Sequence, residues 1–425
     1  MLYAQAVAES GVLPESMVRE TIARALEGRF KGARLLVLIP DHTRTFPMPM
    51  LFRVLTGALR DAARLDFMVA LGTHPPLNEA ALYRLVGITP AERADAYRDV
   101  GLLNHEWNNP DALFTLGVIT QDQVKQIAGD AWHPSLGGDV PVRVNRAAVE
   151  HDAILIVGPT FPHEVVGFSG GAKYLYPGIS GPEMINTTHW MGALLTIPNT
   201  IGVERTPMRA MIHAAAAMIP TPATLLSLVI EGEGAAGVFA GDLHEAFHAA
   251  AQLSAMRHIA WVERPFRCVL SHAPAMYDEL WVAGKAMYKL EPVVADGGEL
   301  IIYAPHLDTV SATHGKHIHE VGYHVLDYFL AQWDRFRHIP LSVLAHSTHV
   351  KGVGTYEHGV ERPRVTVTLA SRIAEADTRR LNLNYRDPAR IRVEDWQGRE
   401  AEGVLYVPRA GEMLYRVRGE QGKLG

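Results

Sequence analysis

The sequence of 425 residues contains a single cysteine, Cys268, so an internal disulfide is excluded and a reducing compartment such as the cytoplasm is favoured. No stretch offers the roughly 18 to 20 apolar residues that a membrane-spanning helix needs. The first residues lack the basic start and the apolar core that are typical of a secretory signal peptide. We therefore expect a cytoplasmic protein that has no membrane partner.

Positive charge is also scarce, since 40 lysine and arginine residues are set against 46 aspartate and glutamate residues, for a net charge of −6. Nucleic-acid-binding proteins usually present a basic surface, so we expect no nucleic-acid partner. The common metal motifs are missing as well, because the sequence has no HExxH, no paired CxxC and no EF-hand loop. A metal site built from protein side chains alone is therefore not predicted.

The chain does contain an alternation of strand-like and helix-like segments. Continuous apolar runs at 33–40, 65–71 and 153–157 are typical of strands that are buried on both faces of a parallel sheet. Helices are predicted at 14–28, 49–63, 78–86, 90–98 and 241–258, and residues 195–240 are also predicted to be helical. This alternation predicts an α/β fold with mainly parallel sheets.

The second half of the chain continues the same alternation. Strands are predicted at 266–272, 299–304, 340–346, 364–370 and 405–409, and helices at 279–290, 317–332 and 371–378. Because single cores rarely exceed about 250–300 residues, we expect two α/β domains, 1–260 and 261–425, with the last residues free to return to the first domain. The active site is expected in the cleft between the two domains.

Polar side chains follow three of the predicted strands at the point where each strand ends. Asp41, Thr43 and Arg44 come after the first strand, His74 comes after the second, and His163 follows the third. In parallel sheets, ligands bind at the edge where the carboxyl ends of the strands meet. We therefore expect these three distant segments to converge on one cleft.

Two of these residues, His74 and His163, are candidates for acid/base catalysis. A pair of histidines that face each other across a substrate suits a racemase, which needs one base for each enantiomer. Either histidine taken alone is more often structural.

A glycine-rich loop follows His163 and ends at Lys173. The backbone N–H groups of Ser169, Gly170 and Gly171 could bind an anion, although a plain turn is an equal alternative. Lys173 is a candidate nucleophile or covalent attachment point, and its alternative is a solvated surface lysine.

The remaining candidates are weaker. Arg44 could hold a carboxylate or phosphate, or it could pair with Asp41 to fix a turn. Lys285 could meet a substrate carboxylate, or it could lie on a helix surface. His189 alone is a poor metal site. Two further histidine groups are expected to be solvated or packed rather than metal-binding; they are His314, His317, His319 and His324, and His346, His349 and His358.

Taken as a set, these segments resemble the lactate racemase family, whose members use a nickel-pincer nucleotide. The resemblance rests on Asp41-His42-Thr43-Arg44, Gly72-Thr73-His74, His163 with Gly167-Phe168-Ser169-Gly170-Gly171-Ala172-Lys173, Pro177-Gly178, His189, and the helix from Leu280 to Ala286. It extends from about residue 33 to beyond residue 305. The set is highly specific, although no single motif in it is.

The resemblance implies a cofactor, pyridinium-3-thioamide-5-thiocarboxylate mononucleotide, that carries nickel and is attached to Lys173. His189 would be the one protein ligand of the nickel. His74 and His163 would be the acid/base pair. The cofactor phosphate would lie among Asp41, Thr43, Arg44, Ser169, Gly170 and Gly171, and the substrate would contact Lys285, Trp281 and Arg44.

It also implies the activity. The family pattern predicts a racemase or epimerase that inverts C2 of a 2-hydroxy acid by hydride transfer to the cofactor. Enzymes that synthesise and insert the cofactor would be partners, and a homo-oligomer is compatible with the pattern.

Three departures from the family pattern surround the substrate pocket. Trp281 and Val282 stand where lactate racemases carry Tyr-Gln, Pro75 replaces an arginine, and Thr45 replaces a proline. The segment that would bear the cofactor is intact. We therefore expect a 2-hydroxy acid larger than lactate, whether aliphatic, aromatic or sugar-derived.

Three alternatives stay open at this point. The first is lactate racemase activity itself. The second is a nicotinamide-type 2-hydroxy acid oxidoreductase, which the lack of Gly-x-Gly-x-x-Gly after a strand disfavours. The third is a binding protein that has lost catalysis, which the presence of both His74 and His163 disfavours.

Overall fold

A computed structural model describes residues 1–419 of the chain. The strands are β1 Leu2–Val7, β2 Arg34–Ile39, β3 Arg64–Val69, β4 Val100–Asn104, β5 Leu113–Ile119, β6 Val140–Asn145, β7 Ala153–Pro159, β8 Pro162–His163, β9 Gly167–Phe168, β10 Ala223–Glu231, β11 Gly234–Gly241, β12 Ile259–Val262, β13 Phe266–His272, β14 Val294–Ala304, β15 Gly354–Glu357, β16 Val360–Pro363, β17 Thr366–Ser371, β18 Asn384–Tyr385, β19 Val404–Val407 and β20 Leu414–Val417. The helices are α1 Glu15–Leu26, α2 Met48–Ala58, α3 Glu79–Val86, α4 Pro90–Ala94, α5 Gln121–Ala128, α6 Ala147–Glu150, α7 Pro182–Leu195, α8 Ile197–Thr200, α9 Pro207–Ala216, α10 Glu245–His258, α11 Leu280–Ala283, α12 Lys285–Tyr288, α13 Gly315–Val321, α14 Leu326–Ala331, α15 Trp333–Phe336, α16 Leu341–Lys351 and α17 Glu375–Arg380.

The first half is built on a sheet of seven strands in the order β1-β11-β10-β7-β2-β3-β4. The pairs from β10 to β4 are parallel, whereas β1 and β10 each pair with β11 in antiparallel fashion. The apolar residues of β2 and β7 are buried on both faces of the sheet. This is the burial that their continuous apolar runs predict.

The second half is built on a parallel sheet of five strands in the order β18-β17-β14-β13-β19. Helices cover both sheets, so the predicted α/β fold with mainly parallel sheets is confirmed. Over residues 1–419, none of the helices has the length and apolar character that would let it cross a membrane.

The two halves share packed structure. One buried apolar cluster includes Ile156 of the first sheet and Leu300 of the second, and Trp190 stacks on Trp333 with 5.6 Å between ring centroids. The late strand β20 pairs in parallel with β12 at the junction of the halves. The division into domains 1–260 and 261–425 stays a prediction.

Two predicted elements are wrong. Residues 195–240 are not helical throughout, because β10 and β11 form part of the first sheet there. The predicted strand 340–346 is instead the start of α16, every residue of which after Leu341 is buried. A helix that is buried all round has a continuous apolar run like that of a buried strand, so periodicity does not separate the two.

Several predicted helices are also shorter or divided. Helix 279–290 is split into α11 and α12, and helix 317–332 is interrupted at Gly322, where the backbone adopts φ +71°. The helix predicted at 371–378 begins only at Glu375.

Candidate active site

The carboxyl ends of three neighbouring strands, β7, β2 and β3, open onto one cavity of about 1130 Å³. Helices α11, α12 and α16 of the second half form the opposite wall. The sequence-predicted residues that line the cavity are Asp41, Arg44, His74, His163, Ser169, Gly170, Lys173, His189, Trp281 and Lys285. Thr43 lines an adjoining cavity of about 640 Å³ together with Arg44 and Lys285, and Gly171 lies within the loop. The expected convergence of distant segments therefore occurs.

His74 is held by a buried carboxylate. Its Nδ1 lies 2.5 Å from Oδ2 of Asp41, whose other oxygen accepts from both the hydroxyl and the backbone N–H of Thr43. Burial alone would raise the pKa of Asp41, but His74, Arg44 and Thr43 together hold that pKa well below its usual value. Because an ionised carboxylate accepts the Nδ1 proton, Nε2 of His74 is left as a proton acceptor.

His163 has the opposite arrangement. It lies on the short hairpin of β8 and β9, and the backbone N–H of Val165 donates to its Nδ1 at 3.1 Å. In the neutral imidazole the ring proton therefore lies on Nε2. Burial, together with the nearby charges of Lys173 and Arg44, lowers the pKa of His163 well below its usual value.

The glycine loop is fixed from both sides. Ser169 donates through its hydroxyl to the Pro159 carbonyl and accepts from the Phe161 N–H, so this side chain is used within the loop. Gly170 adopts φ +85°, and a Cβ there would lie 2.4 Å from Oγ1 of Thr160. Only glycine fits that position without a rearrangement.

A buried arginine that the sequence reasoning missed supports this loop from behind. Arg209 of α9 donates to the carbonyls of Phe168 and Gly170, and its guanidinium lies 4.1 Å from the ring centroid of Phe247. Burial lowers the pKa of Arg209 to about 9. The carbonyls of the loop are thus turned toward α9.

Lys173 sits half-buried on the cavity wall, at the end of this loop. Burial and the charge of Arg44 lower its pKa from 10.5 to about 8. At neutral pH a larger population of Lys173 is therefore the neutral amine, which is the nucleophilic form.

His189 lies on α7, and its Nδ1 donates to the Ile185 carbonyl at 2.6 Å. Burial lowers the pKa of His189 to about 4, so the ring is neutral at pH 7 and Nε2 keeps its lone pair. A neutral imidazole with a free Nε2 is the form that binds a metal ion. Within residues 1–419 there is no group of three or more His, Cys, Asp or Glu side chains that could hold a metal.

The wall from the second half is formed around Trp281 and Lys285. The Trp281 indole contacts the rings of His346 and His314, with 4.1 Å and 4.3 Å between ring centroids. Lys285 is 8% exposed, and among the described residues its Nζ has no hydrogen-bond partner. Burial and the charge of Arg44 lower the pKa of Lys285 well below 10.5.

Further residues at the site were not predicted from sequence. They are Glu164, whose Oε2 lies 3.6 Å from Nδ1 of His163, and the wall histidines His346 and His349. Lys289 does not line the cavity, but its Nζ lies 4.8 Å from the ring centroid of Phe161, which does. Burial lowers the pKa of Lys289 to about 7, and its Nζ donates to the Glu412 carbonyl. A spacing of three residues places His346 and His349 on one face of a helix. The sequence predicts a strand at 340–346, so this shared face was not recognised.

Comparison with known proteins agrees with this geometry. Residues 135–199 match the family described as the lactate racemase N-terminal domain. The chain is 24% identical over 311 residues to a lactate racemase from Lactiplantibacillus plantarum, which covers 71% of this chain and 67% of that protein. It is 25% identical over 308 residues to a lactate racemase from Thermoanaerobacterium thermosaccharolyticum, with 70% and 66% covered. The chain is therefore similar to lactate racemases over about 70% of its length.

Two solved structures are similar to this chain over nearly its whole length. A crystal structure of a Thermotoga maritima protein, a structural genomics target, superposes with a TM-score of 0.88 at 32% identity and covers 96% of this chain and 100% of that one. The lactate racemase apoprotein from Thermoanaerobacterium thermosaccharolyticum superposes with a TM-score of 0.69 at 17% identity, with 98% and 100% covered. The second likeness is one of fold.

Proposed function

We propose that this protein is a racemase or epimerase that inverts C2 of a 2-hydroxy acid, using a nickel-pincer nucleotide attached to Lys173. One observation carries the proposal: a lysine of lowered pKa, a histidine with a free Nε2 and a pair of oppositely arranged histidines line one cavity in a chain that is similar to lactate racemases.

The residues present fit such a cofactor. Lys173 lines the cavity and has the lowered pKa that favours attachment through its amine. His189 offers one imidazole nitrogen, a ligand that suits a nickel whose other donors belong to the cofactor. Arg44 supplies positive charge for the phosphate. When bound, the cofactor supplies a hydride acceptor for C2.

The two acid/base histidines divide the proton transfer between them. His74, backed by the Asp41 carboxylate, takes the proton of the C2 hydroxyl on Nε2. His163 presents its Nε2 proton to the C2 oxygen, and it gives that proton up as the imidazolium, so that a neutral ring remains after the transfer. Opposite protonation of the two rings is what inversion requires, because the proton leaves from one side and returns from the other.

The cavity wall formed by the second half of the chain would orient the substrate. The Lys285 ammonium and the Arg44 guanidinium are the cations that line both cavities, and together they would hold the C1 carboxylate. Trp281 and Val282 stand beside that position. Their replacement of the family's Tyr-Gln supports a substrate larger than lactate, while lactate itself is the second candidate because both relatives above are lactate racemases.

The enzymes that synthesise the cofactor and insert it at Lys173 would be the protein's partners, and the cytoplasm its compartment. A homo-oligomer stays a prediction.

The test is a label-retention assay on protein produced together with cofactor-synthesis enzymes. The protein is incubated with one enantiomer of C2-deuterated lactate or 2-hydroxybutanoate, and the products are separated by chiral chromatography. We expect the opposite enantiomer to form with deuterium still at C2. Loss of the label to solvent, accumulation of keto acid only with added nicotinamide, or no inversion would each contradict the proposal.

A further inference from the structure

Helix α16 presents one polar face to the active-site cavity. Ser342, His346 and His349 all line the cavity, and their spacings of four and three residues place them on the same side of the helix. Each is buried, with 4%, 6% and 4% exposure. None of the three has a part in the proton transfer or the cofactor attachment proposed above.

The two histidines of this face each have an unsatisfied nitrogen. Among the described residues, Nε2 of His346 and Nε2 of His349 lack a hydrogen-bond partner, which is also the state of the Lys285 ammonium on the neighbouring helix. Buried polar atoms are rarely left unpaired in native proteins, and those beside a cavity call for a ligand. The face therefore offers two unpaired nitrogens to a polar group of the substrate.

The imidazoles are fixed in place before any substrate binds. The His346 ring is stacked on Trp281 with 28° between their planes, and the His314 ring also contacts Trp281, with 4.3 Å between centroids. Nε2 of His349 has no partner among the described residues, and in the neutral ring this nitrogen can serve as a hydrogen-bond acceptor. An acceptor of this kind takes a hydroxyl proton and repels a carboxylate oxygen.

The lack of positive charge on this face of α16 also disfavours the binding of a second carboxylate. The only lysine of α16, Lys351, donates to the Asn382 carbonyl away from the cavity, and α16 has no arginine. Burial lowers the pKa of His349 to about 4, so its ring adds no positive charge at pH 7. An aliphatic or aromatic side chain would leave both Nε2 atoms without a partner.

We infer that Ser342, His346 and His349 bind hydroxyl groups of the substrate beyond C2. The substrate class is then a polyhydroxy monocarboxylic acid, in which C3 or C4 carries at least one further hydroxyl. This inference rests on the proposed function, since it assumes that a 2-hydroxy acid is inverted in this cavity.

Three acids of four carbons test the inference with the loaded enzyme. They are 2-hydroxybutanoate, 2,3,4-trihydroxybutanoate and malate, which differ in hydroxyl content and in the second carboxylate. We expect kcat/KM for inversion at C2 of the trihydroxy acid to exceed that of both others by about tenfold or more. Faster inversion of 2-hydroxybutanoate or of malate would overturn the inference.

Substitutions on α16 test whether its histidines cause the preference for the trihydroxy acid. His346→Leu and His349→Leu should each raise KM for the trihydroxy acid and bring the ratio of the trihydroxy acid to 2-hydroxybutanoate toward about one. The control is His338→Leu, an exposed histidine paired with Glu320 outside the cavity, and it should keep the wild-type ratio. A ratio unchanged in both wall variants would overturn the assignment, and the wild-type comparison decides the substrate class even if the variants do not fold.

Failure of the proposed function can be distinguished from failure of the inference about α16. In that case the intact mass shows no adduct on Lys173 and none of the three acids is inverted, a result that overturns both proposals. An adduct-bearing enzyme that prefers 2-hydroxybutanoate or malate overturns only the inference about α16.

Discussion

The two walls of the cavity differ in how their polar groups are paired. On the wall formed by the strand ends, Asp41 accepts from His74 and Thr43, and His163 accepts from the Val165 N–H. On the wall formed by the second half, Lys285 and His346 each have an unpaired nitrogen among the described residues.

This difference separates fixed chemistry from variable binding. Groups whose partners belong to the protein begin each turnover in one protonation state and one orientation, as proton transfer and cofactor attachment require. Groups that lack partners in the free protein weaken its stability and are satisfied only by a ligand that enters and leaves. Substitutions on the two walls should therefore affect activity and stability in different combinations.

The largest effect is expected at Lys173. Lys173→Ala removes the amine that would hold the cofactor, so inversion at C2 should be lost completely and the intact mass should equal that of the polypeptide alone. Lys316→Ala, at an exposed lysine of α13, is the matched control and should keep both the adduct and the activity. A Lys173→Ala protein that still carries an adduct would refute the attachment site.

The next largest effect is expected at the acid/base pair. His74→Gln or His163→Gln should each lower kcat by about 10²- to 10⁴-fold, because proton transfer to or from the C2 oxygen is lost. The adduct on Lys173 should persist in both variants, as intact mass would show. Full activity of the His163 variant would mean that the two-base assignment is wrong.

Lys285→Met should separate activity from stability. Loss of the ammonium should raise KM by about 10- to 100-fold, while removal of an unpaired buried charge should raise the free energy of unfolding by about 1 kcal/mol at pH 7.

The pH dependence of unfolding checks the same variant. The pKa of folded Lys285 lies well below 10.5, so between those two values the unfolded chain binds more protons and stability rises with pH. The methionine variant should lack this part of the slope. A Lys285→Met protein that is less stable than wild type at pH 7 would contradict the account of this wall.

Asp41→Asn should lower activity and stability together, which is the opposite combination. The amide no longer supports a proton on His74, so kcat should fall about tenfold, and the lost charge-assisted hydrogen bond should cost about 1–3 kcal/mol in stability. Because the pKa of folded Asp41 is held below its unfolded value, its contribution is present above about pH 4 and is lost as the pH falls through the folded value. Acid unfolding monitored by circular dichroism should show a smaller pH dependence in the variant than in wild type.

The strand-end wall could be predicted from sequence, and the reason is physical. Buried parallel strands such as β2 and β7 have continuous apolar runs, and the rule that ligands bind at the carboxyl edge places Asp41, His74 and His163 together without knowledge of tertiary contacts. The residue spacings within the glycine loop then carry the resemblance to the family.

The other wall could not be predicted in the same way. His346 and His349 lie on a helix that is buried all round, whose apolar run resembles a strand, and Arg209 acts from a helix about 40 residues distant in sequence from the loop that it holds. These positions depend on how the halves pack, which hydrophobic periodicity does not encode.

The most direct test of the account is the intact mass and nickel content of wild-type protein produced together with the cofactor-synthesis enzymes. We predict one adduct per chain, mapped by peptide mass spectrometry to Lys173, with about one nickel ion bound. His189→Ala should keep the adduct and lose most of the nickel. An unmodified Lys173 in a protein that nevertheless inverts a 2-hydroxy acid would contradict the account.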